Sequence, residues 1–72
     1  MTKLKHRREA LRLTQARVAM LAGVTERTYA SHETGAGRRC PWPAREAVAR
    51  VLGCQVSDLF DANGVALLVV AA

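Results

Sequence analysis

Aromatic side chains are scarce in this sequence, and the scarcity limits what the chain can build. The 72 residues include one Tyr, one Trp and one Phe, although half of the residues are hydrophobic. A chain of this length forms one domain and buries only ~60% of the surface that its unfolded form exposes. Because the core must be a thin one of Ala, Val and Leu, a deep enzyme pocket is hard to accommodate.

Groups of residues that carry catalysis or bind metals are also missing. Paired carboxylates, a nucleophile beside a base, and a Gly-rich phosphate loop do not occur at workable spacing. The two cysteines, Cys40 and Cys54, lack the close C-x-x-C pairing of structural zinc sites, which disfavours a zinc site formed with His6 and His32. We therefore expect no enzyme, no metal and no cofactor.

Long hydrophobic runs are absent as well. The longest apolar stretch, 65–72, is too short to span a bilayer, and the first eight residues are too charged for a signal peptide. These features predict a cytoplasmic protein with reduced thiols and no membrane partner.

Acidic residues are few in the first half of the chain. Residues 1–39 carry nine basic and three acidic side chains, a net charge of +6, whereas residues 40–72 carry two and three, a net charge of −1. This imbalance favours a polyanionic partner on one side and packing or assembly on the other. A surface charge that only increases solubility is the alternative.

Turn residues divide the chain into short segments with helical spacing. We predict helices over about 3–11, 15–22, 26–34 and 43–52, a short helical turn over 58–60, and a strand over Val65–Val70. The expected N-caps are Thr14, Thr25 and Ser57, and the expected C-terminal glycines are Gly23, Gly35 and Gly53. The fold class is therefore an all-α domain over residues 1–62, followed by a tail over residues 63–72.

The segment from Gln15 to Thr34 is the most informative. Its two predicted helices are joined by only three residues, 23–25, so the second must cross the first at a large angle. Ala19 provides a small side chain at the crossing, and Tyr29 points inward. The outward residues of the second helix are polar and mostly small, as suits a helix that enters the major groove.

Several motifs in this region and beyond it occur together in a known family. They are Leu13-Thr14-Gln15, Val18-Ala19, Ala22-Gly23-Val24-Thr25, Thr28-Tyr29, Glu33-Thr34-Gly35, and Leu52-Gly53-Cys54 followed by Asp58-Leu59-Phe60. In their order and spacing the chain resembles the phage repressor and Cro (Xre-like) helix-turn-helix DNA-binding domains over about residues 4–60. The resemblance implies a five-helix repressor-like fold that binds double-stranded DNA.

The resemblance also implies roles for individual residues. Base edges would be read by Glu26, Arg27 and Ser31, with Arg27 able to make a bidentate contact to guanine. Phosphates would be bound by Gln15, Arg17, Arg38 and Arg39. The alternatives are solvated surface charges and, for Glu26 and Ser31, side chains that only permit close approach. The Gln15 amide can also brace a side chain of the helix that reads the bases.

The same family pairs an arginine of the first helix with the glutamate that closes the third. Arg8 and Glu33 hold those places, and we interpret them as a structural pair.

Three features depart from the family or carry no role in it. His32 stands where Leu, Ile or Trp is usual, and we expect a partly buried imidazole hydrogen-bonded to the backbone, with a pH-sensitive contact as the alternative. Trp42 is expected to cover the core; the alternative is stacking on a base. Lys3, Lys5 and Arg7 are expected to form a solvated helix face.

The apolar tail would leave an unpaired edge, and pairing with the same strand of a second chain would satisfy it. The sequence therefore predicts a homodimer through residues 65–70 that reads a palindromic operator. The alternatives are a strand packed on its own core or a disordered end.

We conclude from the sequence that the protein is a sequence-specific regulator. It is expected to be a small homodimeric repressor of phage, plasmid or mobile-element type, at work on the nucleoid of a bacterium. A protein-interaction module on the same fold, such as an antitoxin or an adaptor, is the alternative from another class.

Overall fold

The computed structural model describes residues 1–34 and 38–69, and these residues form five helices. Their bounds are α1 Lys3–Ala10, α2 Gln15–Ala22, α3 Glu26–Glu33, α4 Trp42–Leu52 and α5 Val56–Leu59. The predicted all-α architecture is confirmed. No helix in the described part of the chain has the length and apolar character that crossing a membrane requires.

Threonine side chains cap the N-termini of the first three helices. The hydroxyls of Thr14 and Thr25 accept hydrogen bonds from the amides of Arg17 and Thr28, each at 3.1 Å, as the sequence predicted. Thr2 does the same for α1, since its hydroxyl accepts from the Lys5 amide at 3.2 Å. Each bond satisfies an amide that the first helical turn leaves without a partner.

Two of the predicted C-terminal glycines end their helices in the left-handed conformation. Gly23 follows α2 with φ 75° and Gly53 follows α4 with φ 69°, a region that is open to glycine without a steric penalty. Gly35, the third, lies outside the described residues.

The predicted start of α5 is wrong by two residues. Gln55, and not Ser57, precedes the helix. The Asp58 carboxylate accepts a hydrogen bond from the Gln55 amide at 3.0 Å, and this reach back toward the N-terminus fixes the start.

The core lies where α2 packs against α3 and α4. The short helix α5 packs against α4 and α1 and covers one side of this core. Ala19 is buried in α2, as predicted. The buried apolar residues are Leu4, Val18, Ala19, Tyr29, Cys40, Val48, Ala49, Leu52, Leu59, Phe60 and Ala66. Each large aliphatic side chain buried in this way contributes roughly 1.5–3 kcal/mol.

Trp42 does not cover the core, which corrects the expectation from the sequence. Its side chain is 54% exposed, and the centroid of its ring lies 5.4 Å from Cζ of Arg45. The guanidinium one turn further along α4 thus lies over one face of the ring, as in a cation–π contact.

The tail turns back onto its own chain instead of forming a continuous strand. Its bridges are all antiparallel. Each bridge is isolated, because the tail residues pair with three different segments of the chain. The bridged pairs are Arg39 with Val65, Phe60 with Ala66 and Thr2 with Leu68.

Backbone hydrogen bonds hold the described part of the tail on both sides. The Leu67 amide donates to the Leu59 carbonyl at 2.8 Å, and the Leu67 carbonyl accepts from the Lys3 amide at 2.7 Å. The expectation of an unpaired edge is therefore wrong for residues 65–69, and Val70 lies outside the described residues.

Candidate nucleic-acid interface

The joint between α2 and α3 sets how α3 stands on the body. The Val24 amide donates to the Ala19 carbonyl at 3.0 Å, and the chain then enters α3 through the Thr25 cap. Tyr29 is fully buried on the inner face of α3. The opposite face of the helix is consequently directed away from the core.

The first turn of α3 is exposed at Glu26, Arg27 and Thr28. Ser31 is half-buried, and its hydroxyl donates to the Thr28 carbonyl at 2.7 Å. The residues predicted to read bases thus share the outer side of α3, but the hydroxyl proton of Ser31 is already committed to its own helix.

A buried carboxylate ties the first three helices together. Glu33 is only 3% exposed, and Arg8 donates to it twice, from Nε to Oε2 and from a terminal nitrogen to Oε1, each at 2.8 Å. Gln15 donates from Nε2 to Oε1 at 3.0 Å. Arg8 also reaches the Leu13 carbonyl, and the Thr2 hydroxyl donates to the Glu33 carbonyl at 2.7 Å. We call Arg8, Gln15 and Glu33 the Glu33 cluster.

The cluster keeps Glu33 ionised. Burial alone would raise the pKa of the Glu33 carboxyl, but the donors around it, Arg8 foremost, outweigh burial and lower the pKa below its ordinary value. An ionised Glu33 is the acceptor that both Arg8 and Gln15 need, so the position of α3 relative to α1 and α2 depends on this charge.

The residues predicted to bind phosphate fall at two places. Gln15 and Arg17 lie in the first turn of α2, where Arg17 is exposed and the Gln15 amide nitrogen is held by Glu33. Arg38 and Arg39 are exposed between α3 and α4. One set of candidate phosphate contacts thus lies at the start of α2, and the other follows the end of α3.

This geometry agrees with the comparison with known protein families. The family model described as "Helix-turn-helix domain" matches residues 2–61, most of the chain. The chain belongs to this helix-turn-helix family. No curated protein and no solved structure matches it.

Helix-turn-helix domains bind DNA in transcription regulators, and the chain is a DNA-binding domain of that kind. In this domain α2 and α3 form the helix-turn-helix pair, and the first turn of α3 is exposed.

His32 is buried on α3 of this helix-turn-helix domain, more deeply than the sequence predicted. The residue is 6% exposed, and neither ring nitrogen has a hydrogen-bond partner among residues 1–34 and 38–69. Burial, together with the positive charge of Arg38, lowers the pKa of the imidazole. The backbone of Arg38 acts in the opposite direction and limits this lowering. The expected backbone hydrogen bond to the ring thus stays a prediction, and the ring packs as a neutral group.

Stability should therefore depend on pH through His32. Above its ordinary pKa of 6.5, His32 is neutral in both the folded and the unfolded chain. Below that value the unfolded chain takes up the proton first, so the free energy of unfolding should fall as the pH is lowered toward the pKa of the folded state. Chemical denaturation between pH 8 and about pH 5 measures this slope. This pH range lies above the acid range in which carboxylates titrate.

Two substitutions separate His32 from the other histidine. His32→Leu should flatten the slope, whereas His6→Leu, at an exposed position, should leave it in place. An unchanged slope in His32→Leu would contradict the interpretation.

Sequence reasoning missed three side chains of this domain. Thr28 is exposed beside Arg27, a position that the alternation of inward and outward residues on α3 could have indicated. Arg7 does not belong to a solvated face, because its Nε donates to the Leu52 carbonyl at 2.9 Å and so binds the C-terminal end of α4. Arg45 is buried, and nothing local in the sequence indicates it.

Proposed function

We propose that the protein is a sequence-specific repressor that reads the major groove with the first turn of α3. Arg27 would donate to guanine O6 and N7, and Glu26 would accept from cytosine N4. Ser31, whose hydroxyl proton is used within α3, would serve as a small residue that allows close approach. The exposed first turn of α3, held by the Glu33 cluster, is the observation that carries this proposal.

Phosphates on either side of the groove would be bound by the predicted set. Arg17, Arg38 and Arg39 are exposed cations, and the amide nitrogen of Gln15, which donates one N–H to Glu33, has a second N–H that would donate to a phosphate oxygen. Such contacts position the domain without reading sequence. They also make affinity depend steeply on salt, because each neutralised phosphate releases counterions.

The proposal includes a homodimer on a palindromic operator. Met1 and Leu68 are each 62% exposed, and the Val69 amide donates to the Met1 carbonyl, so the exposed apolar side chains of the two terminal segments lie together. Because the tail backbone is bonded within its own chain, the two protomers would meet through these side chains. Half-sites about 10–10.5 bp apart then suit the two-fold symmetry.

The resemblance to Cro-like proteins and the small size of the domain favour a repressor of phage, plasmid or mobile-element origin. Its DNA partner would place it on the bacterial nucleoid in the cytoplasm. No catalytic step is part of this function.

Selection of bound duplexes from a random pool tests the proposal directly. A recovered palindrome would support both sequence reading and the dimer. Recovery of no preferred sequence would contradict the proposal that the protein is a sequence-specific regulator. Light scattering on the purified protein adds the oligomeric state, and a clean homodimer without DNA affinity at low salt would favour the interaction module instead.

Arg38→Ala should weaken binding to all duplexes about equally. Because Arg38 is assigned to phosphate, the slope of log affinity against log salt should fall by about 1. Gel shifts at several salt concentrations measure both quantities. Arg50→Ala, which removes the same charge from an exposed position in the last turn of α4, is the matched control. A change in sequence preference, or equal effects of the two substitutions, would contradict the assignment.

A further inference from the structure

Arg45 is an arginine in the interior of the domain without a carboxylate partner. It is only 7% exposed. Within residues 1–34 and 38–69 the single salt bridge is that of Arg8 with Glu33. Arg45 instead donates from Nε to the Cys40 carbonyl at 2.7 Å. Burying a charge in this way is costly unless a strong contact compensates for it, so this contact should matter.

Gly64 binds the backbone amide of Cys40, the residue whose carbonyl accepts from Arg45. Its carbonyl accepts from the Cys40 amide at 2.8 Å, so the polar backbone groups of Cys40 are held on two sides. Gly64 has φ +84°, and a Cβ at this position would lie 2.6 Å from Cζ of Arg45. The Gly64 backbone therefore lies directly against the guanidinium, and a side chain at this position would force the guanidinium to move.

The residue held in this way adjoins the predicted phosphate contacts. Arg38 and Arg39 immediately precede Cys40, and Arg39 also forms a bridge with Val65, the residue after Gly64. We call Cys40, Arg45 and Gly64 the Cys40 brace. It fixes the backbone from which two exposed cations project.

We propose that Arg45 and Gly64 are positioning residues for DNA binding, which hold Arg38 and Arg39 where they meet the phosphate backbone. This inference rests on the proposed function. A segment that is already ordered loses less conformational entropy when it binds, so the brace raises affinity although neither positioning residue touches DNA.

Release of the brace can be measured without DNA. The Cys40 thiol is fully buried, and burial also raises its pKa, so it should react slowly with a thiol reagent. In a Cys54→Ala background, Cys40 is the single thiol. Arg45→Met and Gly64→Ala should each speed its labelling by about tenfold, the loss expected for one charge-assisted hydrogen bond.

Two matched controls separate the brace from general destabilisation. Gly53→Ala carries the same left-handed strain, but a Cβ at Gly53 meets Arg7 at an ordinary 3.6 Å, so its labelling rate gives the contribution of lower overall stability. Arg50→Met removes the same charge from the exposed side of the helix that carries Arg45. Both controls should label Cys40 at close to the parent rate.

The decisive measurement is DNA affinity in two backgrounds. Gly64→Ala leaves the charge unchanged, yet it should weaken binding to all duplexes by about tenfold if the phosphate contacts depend on one such hydrogen bond. In an Arg38→Ala, Arg39→Ala background the same substitution should have almost no further effect, because the contacts that it positions are gone. A role in general stability would weaken binding equally in both backgrounds.

The outcomes are distinct. Faster Cys40 labelling with unchanged affinity, or equal losses in the two backgrounds, would overturn the positioning role. Parent protein that binds no duplex at all would overturn the proposed function and the positioning role together, and the labelling rates would still show whether the brace holds the segment.

Discussion

Replacement of Arg8 by alanine is expected to lower the free energy of unfolding by about 3–5 kcal/mol, because it leaves a buried carboxylate without its counter-charge. Arg8 provides two of the hydrogen bonds that Glu33 accepts and a third to the Leu13 carbonyl. Small domains are only about 5–15 kcal/mol stable, so the variant should be largely unfolded on mild heating. Urea denaturation followed by circular dichroism measures the loss.

Lys5→Ala is the matched control for this loss. It removes the same charge from an exposed position on the same helix and should change stability by less than about 0.5 kcal/mol. The double variant Arg8→Met, Glu33→Leu should recover much of the stability, since an apolar pair needs no counter-charge. Similar losses in Arg8→Ala and Lys5→Ala would show that the buried pair does not hold the helices together.

Acid should remove the advantage of the pair. The lowered pKa of Glu33 means that its contribution is present above the ordinary glutamate pKa of 4.5 and is lost as the pH falls through the lower folded value. Without Arg8, burial raises the pKa of Glu33 in the variant, so the difference in stability between the parent protein and Arg8→Ala should shrink steadily as the pH falls, from above pH 4.5 downward.

Arg27→Ala should change what the domain reads and not how stably it folds. The side chain is exposed, so the thermal midpoint should stay close to that of the parent protein. Loss of a bidentate contact to guanine should cost about 1–3 kcal/mol at one base position and relax the preference there. Binding to a panel of duplexes that vary one position at a time measures this loss.

Arg17→Ala provides the contrast for Arg27→Ala. Both positions are exposed arginines of the helix-turn-helix pair, but a phosphate contact at Arg17 predicts an equal loss on every duplex. Sequence preference that survives intact in Arg27→Ala would reject the base-reading role.

The parts of the fold that the sequence predicted well are those fixed by near neighbours. Thr14 and Thr25 cap their helices through amides three residues away, and Gly23 ends α2 by its own backbone conformation. Such contacts are encoded within one helical turn, so residue type and spacing are enough to predict them.

The parts that could not be predicted depend on residues that are distant in sequence. Arg7 meets the Leu52 carbonyl 45 positions away, and Arg45 is buried because the tail brings Gly64 against it. A charged residue on a helix gives no local sign that its partner is a backbone group elsewhere. The roles of Glu26, Arg27 and the phosphate-binding set likewise remain predictions, since the position of α3 does not by itself identify a bound base.

The meeting of Met1 with Val69 also has a consequence for the order of assembly. These two residues close a loop that spans nearly the whole chain, whereas the turns of α2 and α3 close over a few residues. Chain entropy delays the closure of long loops, so the helical pair should form early and the joining of the two ends should complete the native state last. Since Thr2 donates to the Glu33 carbonyl, fraying at those ends would reach the last turn of α3 before any other part of that helix.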